Sequence, residues 1–179
     1  SFQRPMYTRN FLSKLGEEGR AQLFQYTKKK RFRTGQAIVK AGTKGNKLFK
    51  GGALYFIVEG RVEEFLTRGM GTGNQRVGIV DVGAMVVDRD FLEPEDGNHF
   101  SAIPLVETEV QGLTRENFEK MARERPSLAM AVMRGIAQSQ TTRNTAWLVY
   151  SCDAADELLQ LDRRGWIARA RRHTTRHTT

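Results

Sequence analysis

Between residues 37 and 113 the sequence breaks into short apolar runs punctuated by glycine, and this rhythm constrains the fold most. Ala37-Ile38-Val39 reads as a short strand closed by Gly42. Leu54-Tyr55-Phe56-Ile57-Val58 reads as a buried strand closed by Gly60, and Val62-Glu63-Glu64-Phe65-Leu66 continues beyond that turn. Gly69, Gly71 and Gly73 mark the tip of a hairpin. Residues 76–80 and 85–87 supply further strands around Gly83. The turn-rich stretch Glu93-Pro94-Glu95-Asp96-Gly97-Asn98 then precedes two more, at residues 100–106 and 110–113. Short strands with glycine turns at roughly 8–12-residue spacing predict a small barrel or sandwich rather than β-α-β units.

Helical periods flank this region. Residues 11–24 form a short helical segment with Ser13 as its N-cap and with Glu17 and Glu18 near the first turn, where the helix dipole favours them. Leu15, Leu23 and Phe24 share its apolar face. After the strands, Thr114 caps a helix with Asn117 in the first turn, carrying Phe118 and Met121. Pro126 ends that helix and opens the next, where its fixed φ is tolerated. Leu128, Val132, Ile136 and Trp147 lie on the apolar side. Residues 153–172 repeat the amphipathic pattern through Ala154, Leu158, Leu159, Leu161, Trp166 and Ile167, with arginines at the end that the dipole favours. The expected plan is an extension over 1–10, a domain over 11–150, and a helix with a basic tail over 151–179.

A chain of 179 residues buries a core without disulfides or metal. The single Cys152 excludes a disulfide framework and a multi-cysteine zinc site, and argues for a reducing, intracellular compartment. No apolar run approaches the ~20 residues needed to span a bilayer. The net charge of +9 is uneven: residues 1–50 carry 13 Lys or Arg against Glu17 and Glu18, whereas residues 51–150 carry 10 against 14 acids. Such asymmetry suits an anionic partner, RNA or lipid head groups, and equally suits a solvated surface. The start at Ser1, followed by a stretch rich in base and free of acid, fits a cloned fragment, methionine removal or a processed organellar precursor. The expected location is therefore cytoplasmic, with a mitochondrial or other organellar alternative. The tail ending in Arg176-His177-Thr178-Thr179 needs something to hold it, which suggests protein partners in a larger assembly.

Three stretches together resemble the cyclic-nucleotide-binding domain family. Thr34-Gly35-Gln36-Ala37-Ile38-Val39-Lys40-Ala41-Gly42 is similar to its first motif, two glycines bracketing an apolar strand. Leu54-Tyr55-Phe56-Ile57-Val58-Glu59-Gly60-Arg61-Val62 resembles its strand-turn-strand motif. Phe118 followed by Pro126 matches the lead into its C-terminal helix. The resemblance covers residues 11–150. It implies a mainly β fold with flanking helices: a jelly-roll-like double-stranded β-helix, or β-roll, with one helix before it and others after.

The resemblance also implies where a ligand would sit. In the family a phosphate-binding cassette offers backbone amides at a short helix, a glutamate for the ribose hydroxyl and an arginine for the cyclic phosphate. A phosphate monoanion suits amides and a guanidinium, and a hydroxyl suits a carboxylate. Here Gly83 opens the cassette, Val87 stands where the family has a glycine, and Asp88 where it has the glutamate. His99 falls at the arginine position, followed by Phe100 and Ser101, while Arg89 is the nearest other guanidinium. Val87 adds a β-branched side chain where a backbone must approach closely. His99 is mostly neutral near pH 7 and offers one contact in place of two. Loss of a bidentate charged contact costs about 2–5 kcal/mol by analogy with buried interface pairs.

The expected function is that of a non-catalytic regulatory or scaffolding domain with a degenerate pocket and no cofactor. The alternatives are a working sensor of cAMP or cGMP attached to a kinase, channel or transporter, and an anion-binding subunit of a large assembly. The 29 residues after Tyr150 are too few for a winged-helix domain. His99, His173 and His177 are too scattered for a metal site, and no nucleophile–base arrangement supports an enzyme. The glycine run at 69–73 lacks the lysine of a phosphate loop. The basic run at 28–33, with Tyr26 and Phe32 near it, reads as a solvated strand edge.

Overall fold

A computed structural model of the chain describes residues 6–7, 10–42, 48–49, 52–67, 74–92 and 100–150, with backbone alone at 6–7, 74–75 and 140–150. Eight strands and four helices follow in the order β1 (Met6–Tyr7), α1 (Phe11–Phe24), β2 (Lys28–Phe32), β3 (Ala53–Glu59), β4 (Arg61–Thr67), β5 (Asn74–Asp81), β6 (Met85–Val87), α2 (Arg89–Leu92), β7 (Phe100–Pro104), β8 (Thr108–Thr114), α3 (Arg115–Glu124) and α4 (Pro126–Tyr150). The strands form two four-stranded sheets, ordered β1-β5-β4-β7 and β2-β8-β3-β6. Every pairing except the parallel β1–β5 is antiparallel. This is the mainly β roll with flanking helices that the sequence implies.

Alternation along β3 divides the core in two. Ala53, Tyr55 and Ile57 point into the roll, where Phe32, Ile38, Val39, Phe49, Val62, Val80, Val86, Phe100 and Val110 join them. Leu54 and Phe56 point the other way, onto a cluster with Leu12 and Leu23 of α1, Met121 of α3, and Leu128, Val132 and Ile136 of α4. A strand buried on both faces reads as an unbroken apolar run, and Ala53 to Ile57 are all fully buried. Phe11 stacks on Phe56 with ring centroids 5.6 Å apart, joining α1 to the sheet.

The turns follow the glycines. Gly35, Gly42, Gly60 and Gly83 all take positive φ. Gly60 between β3 and β4 shows why: with φ +108°, a Cβ there would lie 2.7 Å from Thr108 Cα and 2.8 Å from the Glu107 carbonyl oxygen. That close approach, in a backbone region L-residues rarely adopt, leaves no room for a side chain.

Several expectations need correction. Asn10, not Ser13, caps α1: its side chain accepts from Ser13 N at 2.8 Å. Gly16, at φ +73° and ψ +175°, kinks α1, so Glu17 and Glu18 follow the kink and α1 has no acid in its first turn. Ala37-Ile38-Val39 is not a strand; it contributes one isolated bridge, Val39 to Ala102. The strand expected over 100–106 stops at Pro104, where the chain turns. Thr114 caps α3 as expected, its Oγ accepting from Asn117 N at 3.2 Å. The hairpin tip at Gly69, Gly71 and Gly73, the helix expected over 153–172 and the polar tail lie outside the described residues. The chain divides into two units, Ser1–Arg143 and Asn144–Thr179. Among the described residues no helix is long and apolar enough to cross a membrane.

Candidate functional site

The region that the resemblance assigns to the cassette runs from the β5–β6 turn through α2. Gly83 sits in that turn at φ +87°. Its carbonyl accepts from Leu12 N at 3.1 Å, and the Asn10 side chain occupies the place a Cβ would take. Gly83 thus receives the start of α1. Val87 ends β6 opposite Leu54 and is fully buried in the helix-side cluster, so its side chain points away from the interior of the roll.

Asp88 follows, 2% exposed. Its N–H donates to the Ala53 carbonyl at 3.2 Å, and its own carbonyl accepts from Phe91 N at 3.0 Å. Its carboxylate Oδ1 accepts from Asp90 N at 3.0 Å. The side chain therefore caps α2, satisfying an amide that a helix start otherwise leaves open. Burial pushes the Asp88 carboxyl up to about 6; the Asp90 amide pulls it down and the Asp90 charge pushes it up. Tyr55, fully buried inside the roll, lies close enough that the Asp88 charge adds to burial in raising its phenol. Arg89 is exposed at the start of α2. Phe91 packs edge-on against Phe118 at 5.7 Å, which ties α2 to α3.

Gly52 explains how tightly α2 is seated. It enters β3 at φ +81°, and a Cβ there would lie 2.6 Å from Phe91 N and 2.8 Å from the Asp90 carbonyl carbon. Beside it two aromatic rings pack inside the roll. Phe49, fully buried, meets Tyr55 edge-on at 5.3 Å, and its ring occupies the space a side chain at Gly112 would need.

The remaining residues of the expected site divide between structural roles and the undescribed region. Phe100 belongs to the inner core. Ser101, 5% exposed, accepts from Ala41 N at 2.9 Å and so holds the segment after Val39. His99 lies outside the described residues. No sequence motif points to Phe49, Gly52 or Asp90, and Tyr55 reads from the sequence only as a strand residue. The Gly51-Gly52 pair before an apolar strand was the available signal for a close approach.

The basic run forms β2, as a strand edge. Arg31 lies 3.1 Å from both Glu107 and Glu109 and 3.5 Å from Glu59, while Lys29 lies 3.1 Å from Glu109. The hydrogen bond to Glu107 is the main cause that raises the Arg31 guanidinium. Among the described residues, no group of three histidines, cysteines or acids is arranged to hold a metal ion.

This roll, with the short helix α2 and the flanking helices, has a cyclic-nucleotide-binding-like fold, and known structures agree. The chain is similar to the catabolite activator protein of Thermus thermophilus, with TM-score 0.62 and 21% identity over 79% of this chain and 63% of that one. It is similar to a cyclic nucleotide-binding domain from Methylobacillus flagellatus, with TM-score 0.60 and 19% identity over 75% and 71% of the two chains. A third likeness is to the regulatory subunit of a cAMP-independent protein kinase A from Trypanosoma brucei, with TM-score 0.53 and 23% identity over 72% and 43%. The chain thus spans less than two thirds of the Thermus and Trypanosoma proteins. No protein-family model and no curated protein matches the sequence.

Proposed function

We propose that this chain is a non-catalytic regulatory or scaffolding domain of a larger protein or complex, whose nucleotide pocket is silent. The observation that carries this reading is the engagement of Asp88. The carboxylate that the resemblance assigns to a ribose hydroxyl is buried, and its Oδ1 accepts from Asp90 N of its own helix at 3.0 Å. The aromatic packing of Phe49 and Tyr55 inside the roll supports the same reading; Val87 does not bear on it, because its side chain packs on the helix side of the sheet. The Trypanosoma structure is the regulatory subunit of a protein kinase A described as cAMP-independent.

The test is thermal stability of the full chain with cAMP or cGMP. A ligand present at 100 times its Kd stabilises a fold by about 2.7 kcal/mol, several degrees in Tm. Unchanged melting at millimolar nucleotide is expected. A rise with either nucleotide overturns the proposal and favours a working sensor. A His99→Arg, Val87→Gly double variant that gains binding would support the residue assignments. Because Val87 is fully buried, that variant loses about 2–3 kcal/mol of stability, and its melting curve accompanies the titration.

A further inference from the structure

The edges of the two sheets differ. β7 is covered: Pro104 O accepts from Gly35 N at 3.0 Å, Ala102 O from Ile38 N at 2.9 Å, and Val39 O from Ala102 N at 2.9 Å. β6 has three residues. β2 is a five-residue edge whose one neighbour among the described strands is β8. Its backbone groups facing away from β8 pair with no other described strand. Such a row of N–H and C=O groups is a template for an added strand.

The side chains of β2 decide which strand fits. Lys28, Lys29 and Arg31 are exposed, and Lys30 is half-buried with its Nζ 4.7 Å from the Phe32 ring centroid. Lys29 and Arg31 share one face and are held there by Glu59, Glu107 and Glu109. Lys28 and Lys30 alternate onto the other face, and neither enters an ion pair with a described acid. Pairing β2 with β2 of a second copy would set cation against cation, which destabilises a cross-strand pair. An acidic strand reverses that sign at Lys28 and Lys30, so these two residues, which oppose pairing with a second copy, select an acidic partner.

We propose that the β2 edge docks an acidic, extended segment of a partner protein, which joins the sheet as a further strand beside Lys28–Phe32. This surface is separate from the pocket: β6, which leads into α2, forms the opposite edge of the same sheet.

The experiment uses the full chain and a fluorescent peptide alternating glutamate and threonine, read by anisotropy and by amide hydrogen exchange. The control replaces each threonine by proline, keeping the charge but preventing strand pairing. The alternating peptide is expected to bind at least about tenfold more tightly than the control and about tenfold more tightly than it binds K28E/K30E. It is expected to slow exchange within residues 28–32. Equal binding of both peptides, or protection elsewhere, overturns the proposal. So does an RNA oligonucleotide or anionic vesicle that protects these amides when the peptide does not. If K28E/K30E fails to fold, salt serves instead: binding to the native chain must weaken as salt rises, and a salt-independent affinity also overturns the proposal.

Discussion

Titration of Asp88 reports directly on how α2 is held. Its carboxyl, 2% exposed, is pushed from its ordinary 3.8 up to about 6, chiefly by burial. In the unfolded chain it returns to about 3.9. The folded state therefore holds this proton more tightly than the unfolded state does. The resulting stabilisation is fully present below about pH 4 and is lost as pH rises through about 6. A gap of about two pH units is worth about 3 kcal/mol. Asp88→Asn retains an oxygen that can accept from the Asp90 amide but cannot ionise. Urea unfolding of both proteins at pH 4 and pH 7 isolates the effect, since every other carboxylate is common to both. The native protein is expected to lose about 2–3 kcal/mol more stability than the variant between the two conditions. An equal loss in both proteins would refute the burial and capping assigned to Asp88.

Other outcomes follow from the packing. Gly60→Ala forces a Cβ against Thr108 and the Glu107 carbonyl at φ +108°, and is expected to cost about 2–4 kcal/mol in chemical denaturation. Phe49→Ala empties a fully buried site and is expected to cost about 3–5 kcal/mol. Gly112→Ala alone is destabilising, but in a Phe49→Ala background much of that cost is expected to vanish, a coupling of about 0.5–3 kcal/mol in a double-mutant cycle. Strict additivity would contradict the contact between them. Thr114→Ala removes the cap on Asn117 N and is expected to cost about 1 kcal/mol by thermal unfolding.

The fold was legible where one residue decides local geometry. Thr114 followed by Asn117 marked the start of α3, and Gly60 marked the β3–β4 turn, because a cap and a positive φ each admit few residue types. The apolar run Leu54 to Val58 announced a buried strand, which the structure extends over Ala53–Glu59. Failures came where the partner lies far along the chain. Ala37-Ile38-Val39 has the composition of a strand, yet it touches β7 through a single bridge at Ala102, and no local pattern reveals that. Ser13 resembled a cap because the kink at Gly16 was not foreseen, and the capping oxygen belongs to Asn10. At the site, the resemblance supplies expected places for Val87, Asp88 and Arg89 and nothing more. The inward turn of Phe49 beside Gly112 depends on tertiary packing that residue spacing does not encode, whereas the cap that Asp88 places on α2 is a local contact two residues along the chain.

The most direct test of the silent pocket is calorimetric titration of the full chain with cAMP and with cGMP near pH 7. With Asp88 committed to α2 and the roll packed by Phe49 and Tyr55, neither nucleotide is expected to give saturable heat at concentrations up to about 1 mM, a binding free energy of about −4 kcal/mol. Saturable binding in the micromolar range would contradict the account.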